Sequence, residues 1–229
     1  MLTLLTWNLN VGMAGDTGTA ELIRGFDADL VLLQEVGPEW QEQLQRELSE
    51  DYEVMLFTGQ EVMGGAGGLA LLSRLPAQDA LVLDSPIGWF PSQRVTVDTP
   101  EGPIEVLNVH LVPPFTDGGR LLLGWLTRHG DRKREAEVAV GDRPPDLMAG
   151  DFNANERDRA LRWLRREHDL HSALPEFQPR AKTWRMPHLP PWRLDHVLVG
   201  PAWEATDAQV HQVGPSDHWP VTVTLRRTP

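Results

Sequence analysis

Cysteine is absent from all 229 residues, which excludes disulfides, a thiolate nucleophile and cysteine-bound zinc. Any metal must therefore be held by oxygen or imidazole. No apolar run approaches the ~20 residues that a membrane-spanning helix requires. The opening MLTLLTWNLN has neither a basic leader nor a small-residue cleavage site, so a soluble, cytoplasmic protein is expected. Other signatures are missing as well. There is no GxSxG elbow and no HExxH, and the glycine-rich VMGGAGGLALLS lacks the Lys-Ser/Thr of a P-loop, so it reads as a tight turn leading into a strand. No repeat of fixed period, heptad array or low-complexity tract is present.

Basic charge is scarce in one half only. The formal net charge is −12; residues 1–118 hold 4 Lys+Arg against 18 Asp+Glu, and residues 119–229 hold 17 against 15. Binding of nucleic acid by counterion release needs clustered Lys and Arg, so long duplex nucleic acid is not the expected partner. The acidic half reads as a solvated face. Length and a hydrophobic content of 41% suit one domain over residues 1–229, expected to be a monomer.

What is present is an alternation of short apolar runs with helix patterns. LTLLTW, ADLVLLQ, YEVMLF, GGLALLS, RVTVDT, IEVLNVHL, DLMAG, LDHVLVG and VTVTL are strand candidates bounded mostly by Gly, Pro, Asp or Asn. TGTAELIRGF with a Thr cap, PEWQEQLQRELSED with Pro in its first turn, and NERDRALRWLRREH are helix candidates. For the last, Asn155 or Asp151 is a possible cap. At least two strands follow one another between GGLALLS and IEVLNVHL without a helix. A regular doubly wound sheet would not allow this, so a mixed sheet or two packed sheets with helices outside is predicted.

Polar residues interrupt the strand ends in a consistent way. TWNLN puts Asn8 and Asn10 on one strand face, which alone would serve equally as a turn opening. ADLVLLQEV ends in Gln34 and Glu35, and a carboxylate there suits a hard cation such as Mg²⁺. His110 sits late in an apolar strand, where an isolated imidazole is more often a satisfied core residue than a catalyst. AGDFN supplies Asp151 and Asn153. In WRLDHVLVG, Asp195 places a charge in a strand, where burial without a partner is costly. In GPSDHWPV, Asp217 and His218 are adjacent and need a turn to serve one site; Pro215 and Pro220 make one plausible.

In order, WNxN, QE, NVHL, GDFN, LDHVL and SDHWPV resemble the signatures of the endonuclease/exonuclease/phosphatase superfamily, the deoxyribonuclease I-like metal-dependent phosphoesterases. The resemblance runs from Trp7 to Pro220, and GDxN and SDHxPV are its most specific parts. It implies a four-layer α/β sandwich, two mixed sheets face to face with helices outside. It also implies a divalent cation, Mg²⁺ or Mn²⁺, on Glu35 and Asn8 with Asp217 as a further ligand. By the same resemblance His110 contacts the phosphoryl group or assists the leaving group, while Asp151 and Asn153 position the attacking water and bind phosphate. Asp217 orients His218 for phosphoryl binding or proton transfer, and Asp195 is a site carboxylate. Asn10 stands where many members have Asp. These roles suit phosphoester hydrolysis, which needs stabilised nonbridging oxygens, an aligned water and a neutralised leaving oxygen.

The substrate implied is a phosphate ester, with nucleic acid, nucleotide, sugar phosphate and lipid all open. FQPRAKTWRMPHLPPWRL, residues 177–194, carries Arg180, Lys182, Arg185 and Arg193 with Trp184 and Trp192 and no acid. Together with Asn10 these are candidate substrate contacts, by cation and stacking; a proline-rich surface loop packed on the core is the alternative. In SPIGWFPSQ, Trp89 and Phe90 are expected to anchor a loop. His168 and His171 share a helical spacing but have no third ligand nearby, so no zinc site is expected there.

Overall fold

The chain was analysed as a computed structural model, which describes residues 1–59, 62–114, 124 and 127–228. Twelve strands form two six-stranded sheets. β1 (Leu2–Asn8), β2 (Leu30–Gln34), β3 (Val54–Phe57), β4 (Leu69–Ser73), β11 (Trp203–Val210) and β12 (Val221–Arg227) make the first, in the order β11-β12-β1-β2-β4-β3. β5 (Ala77–Leu83), β6 (Ser92–Thr99), β7 (Gly102–His110), β8 (Leu147–Asp151), β9 (His171–Ser172) and β10 (Asp195–Val199) make the second, in the order β5-β6-β7-β8-β10-β9. β1–β2 and β7–β8 are parallel and the other pairs antiparallel, so both sheets are mixed.

Helices among the described residues include α1 (Thr19–Gly25), α2 (Pro38–Leu48), α3 (His129–Val140), α4 (Arg159–His168) and the single turn α5 (Leu174–Phe177). α2 begins with Pro38 at its first position, where the missing N–H costs no hydrogen bond, and buries Trp40, Leu44 and Leu48 four residues apart. α1 is not capped by a threonine; its N-cap is Gly18, and no side chain bonds the helix start. Asp16 fixes the turn before it, accepting from the Gly18 N–H at 3.1 Å and the Thr19 hydroxyl at 2.8 Å. The Asn155 region is a turn, and the cap of α4 is Asp158, whose Oδ1 accepts from the Ala160 N–H at 2.9 Å. The glycine-rich segment is indeed a 3₁₀ turn, Val62–Gly65, before β4.

Alternation sorts the strand side chains into layers. Leu4, Leu32, Leu71, Val95, Val106, Ala149 and Val197 meet between the sheets. Leu5, Trp7, Val31 and Leu33 point the other way, onto α1 and α2. Leu107, Val109 and Met148 face α3 and α4. Two mixed sheets face each other with helices outside, the four-layer sandwich expected. Polar ties also cross the central layer: Gln34 Nε2 donates to Asn108 Oδ1 at 2.8 Å, and Asn108 Nδ2 donates to the Leu33 and Ala70 carbonyls. Gly150 has φ +140°, and a Cβ there would lie 2.0 Å from the Val109 carbonyl oxygen. Glycine alone lets β8 approach β7 this closely at the residue before Asp151.

Candidate active site

Register brings the polar strand ends together. In the first sheet Asn8 is level with Gln34, next to Glu35; in the second, His110 and Asp195 both stand opposite Asp151. The Asn8 amide bridges the sheets, donating to Glu35 Oε1 at 3.0 Å and to Asp151 Oδ2 at 3.1 Å. Glu35 adopts φ +58° and its other oxygen accepts from the Val11 N–H at 3.0 Å. Asp151, 1% exposed, has the Nε2 atoms of both His110 and His218 at 3.6 Å from its Oδ2.

His218 is held from every side. Its Nδ1 donates to Asp195, 3.0 and 2.9 Å from the two oxygens, its backbone N–H donates to Ser216 Oγ, and its carbonyl accepts from the Trp7 indole. Ser216 in turn donates to the Asn8 carbonyl at 2.8 Å. Thr183 Oγ1 accepts from the Leu194 and Asp195 N–H groups, which fixes the start of β10. Gly214 allows the Trp7 contact, since a Cβ there would stand 2.4 Å from the indole ring.

The two imidazoles are driven apart electrostatically. Burial lowers His110 to a pKa of about 4 against the pull of Glu35, which leaves it neutral near pH 7. Burial acts to lower His218 as well, but the charges of Asp195 and Asp151 and the Asp195 hydrogen bond outweigh it and raise the imidazole well above its usual range. Burial pushes the Asp151 carboxyl up to about 7, against the pull of His218 and with Asp195 reinforcing the rise. One charged and one neutral imidazole flanking a carboxyl is an arrangement suited to acid–base work.

These groups open into a cleft whose other walls include Phe90, Pro113, Pro114, Trp184, Met186 and Trp192. Phe90 stacks on His110 with centroids 4.0 Å apart at 20°. Trp184 and Trp192 stack on each other at 5.6 Å. Asp151, Asp195 and His218 offer ligand atoms within 4.8 Å of one another. Glu35 and Asp217 line the same cleft, and among the described residues no Lys or Arg ion pair neutralises any of these four carboxylates.

The family model for the endonuclease/exonuclease/phosphatase family matches residues 5–218. The chain belongs to the endonuclease/exonuclease/phosphatase family. Family members are hydrolases, nucleases and phosphatases among them, and depend on divalent metal. An endonuclease/exonuclease/phosphatase from Beutenbergia cavernae superposes with a TM-score of 0.78 at 25% identity, over 99% of this chain and 71% of that one. A humanized D. rerio TDP2 gives 0.78 at 15% identity, over 98% of both chains. A 3′ phosphatase, NExo, from Neisseria bound to a product DNA hairpin gives 0.71 at 18% identity, over 99% of this chain and all of that one. No curated protein sequence matches.

Within this family frame, several expectations from the sequence need revision. Asp217 does not orient His218: its oxygens accept from Asn10 Nδ2 at 2.8 Å and from the Trp184 indole at 2.9 Å. Asp195 holds the imidazole instead. The Asn153 amide is directed at the Leu111 carbonyl (2.9 Å) and Asp151 Oδ2 (3.3 Å), so it steadies the carboxylate and aims no spare hydrogen into the cleft. Arg193 is not a substrate contact. Its guanidinium is 6% exposed and bonds the carbonyls of Ala181, Gln178 and Pro179 and the Glu156 carboxylate, stapling the loop. Arg180 and Lys182 are exposed and lie outside the cleft lining. Arg185 lies 5.5 Å over Trp219 and lines an adjoining groove with Asn10 and Asp217. Trp184 and Trp192 do line the cleft. Phe90 over His110 was visible in the sequence only as a loop anchor, since nothing local relates residue 90 to residue 110.

Proposed function

We propose that the chain is a divalent-metal-dependent phosphoesterase that hydrolyses a phosphodiester or phosphomonoester by attack of water, on a small or flexible substrate. One observation carries the reading: Asp195, held at the start of β10, fixes the His218 imidazole through Nδ1, with its Nε2 directed at Asp151 from the opposite sheet. Four carboxylates around one cleft, a buried Asp151 among them, form a donor set of hard oxygens with excess negative charge, which fits Mg²⁺ or Mn²⁺. Glu35, Asn8 through its Oδ1 and Asp217 through its unused lone pairs would hold the ion. A bound cation supplies charge neutralisation at phosphoryl oxygens and a more acidic water.

The chain's own residues divide the remaining work. The His218 imidazolium donates from Nε2 to a phosphoryl oxygen, and Asp195 keeps that nitrogen aimed. Asp151, fixed by Asn8 and by the Asn153 N–H at 2.8 Å, accepts a hydrogen bond from the attacking water. His110, neutral beneath Phe90, assists at the leaving oxygen. The Trp184–Trp192 pair and the two prolines shape the wall against which the organic part of the ester lies.

The test is hydrolysis of bis-p-nitrophenyl phosphate, p-nitrophenyl phosphate and short DNA with EDTA, Mg²⁺ or Mn²⁺. Turnover is expected to vanish in EDTA and return with either ion. Glu35→Gln is expected to shift the metal-activation curve by about 10- to 100-fold. Turnover that ignores EDTA, or none across the panel, overturns the reading.

A further inference from the structure

The outer surface of α4 carries a charge pattern that the cleft does not use. Arg157, Arg159, Arg162, Arg165 and Arg166 are all exposed, and among the described residues none has a carboxylate partner within 4.0 Å, in a chain of net charge −12. The helix macrodipole accounts for Arg165 and Arg166 in the last turn. It disfavours Arg159 and Arg162, which sit in the first turns, and the spacings 159–162 and 162–166 set like charges side by side. Helix stability therefore gives no reason for the row. Arg159, Arg162 and Arg166 fall on one helix face over about 10 Å. With Lys133 of α3, Trp163 and one carboxylate, Glu167, they line a shallow groove between the two helices. The Lys133 ammonium pairs with Glu137 and lies 5.2 Å over the Trp163 ring, so among the described residues the three arginines are the cations left without a carboxylate there.

The direction of α4 relates the groove to the cleft. β8 ends at Asp151 and the chain turns at residues 152–158 into α4. It then emerges at His171, which pairs with Val199 at the end of β10 remote from Asp195. The arginine row thus starts at the catalytic end of the second sheet and leads away from it along the outer face. We infer that this face of α4 binds the phosphate backbone of a single-stranded nucleic acid whose end reaches the cleft. Guanidinium forks match phosphate oxygens, and their steps along the axis are of the order of a strand's phosphate spacing. A lipid surface is the poorer occupant, because the apolar side of α4, with Ala160, Leu161 and Leu164, is buried against the sheet and unable to enter a bilayer.

The inference extends the phosphoesterase reading, and binding without turnover separates the two. Binding of a fluorescein-labelled 12-nucleotide single strand is measured by anisotropy in EDTA between 50 and 200 mM NaCl. The wild type is expected to lose affinity with a log–log slope of about −2, the value for three phosphates at about −0.7 each. The variant Arg159→Gln/Arg162→Gln/Arg166→Gln is expected to bind at least about 100-fold more weakly at 50 mM with a slope near zero. The corresponding Lys variant retains most of the affinity, and both variants hydrolyse bis-p-nitrophenyl phosphate like the wild type. Equal binding by the wild type and the Gln variant overturns the inference. So does binding to phosphatidylserine vesicles or an acidic protein in place of the strand. Absence of bis-p-nitrophenyl phosphate turnover with strand binding intact would instead count against the phosphoesterase reading alone.

Discussion

In the sequence the orienting of His218 falls to its neighbour Asp217, and Asp195 is only a carboxylate of the site. The structure awards the part to the distant residue, 2.9 Å from Nδ1. Asp195→Asn keeps the shape but removes the charge that fixes the imidazole, and kcat is expected to fall by about 10²- to 10⁴-fold with little change in KM. Steady-state kinetics at saturating metal decide this; an unchanged kcat would return the orienting role to another group. At this scale residue types were legible because Asn, Glu, Asp and His at apolar strand ends cost burial and hydrogen-bonding free energy. Which atom faces which was not, because it depends on register between segments far apart in the chain. Arg193 shows the same limit: a cation beside Asp195 reads as a phosphate contact until three carbonyls of its own loop and the distant Glu156 carboxylate are seen to consume it.

At the scale of elements, α3 escaped notice for a physical reason. Its inward positions include Arg132 and Glu135 beside Ala136, Ala139 and Val140, so two charges break the apolar stripe that would mark a helix. Arg132 is fully buried and donates from Nε and Nη2 to Asp158 at 3.1 and 2.9 Å, and His129 bonds the same carboxylate. Asp158 thereby caps α4 and ties it to α3. Asp158→Ala leaves a buried guanidinium short of its carboxylate and removes the cap; a loss of about 3–5 kcal/mol is expected, read as a fall in Tm of about 10 °C or more. A Tm within a few degrees of wild type would show that the pair contributes little. β5 and β11 were missed too, as edge strands with mostly exposed residues and no clean alternation. The buried strands announced themselves by their apolar runs.

For the whole molecule, pH acts on stability through Glu135, 3% exposed and accepting from the Val112 N–H and the Ser85 hydroxyl, each at 2.7 Å. Burial raises its pKa from 4.5 to about 7, against those two hydrogen bonds. The folded state therefore holds the proton more tightly than the unfolded chain. Below pH 4.5 this costs nothing; stability falls as pH rises from 4.5 towards 7 and stays lower above it, by about 3 kcal/mol in all. Tm measured from pH 5 to 8 should decline in the wild type more steeply than in Glu135→Gln, and parallel curves would refute the assignment. The sequence by itself determined the layered class, most strands and the acidic and imidazole residues that meet at the cleft, because burial periodicity and polar interruptions are local properties of the chain. Tertiary structure alone decided that Asp195 serves His218, that Phe90 covers His110 and that Asn8 joins two carboxylates from opposite sheets. Those contacts form only when segments separated by up to 143 residues are brought level at the cleft, and no short window of sequence encodes that alignment.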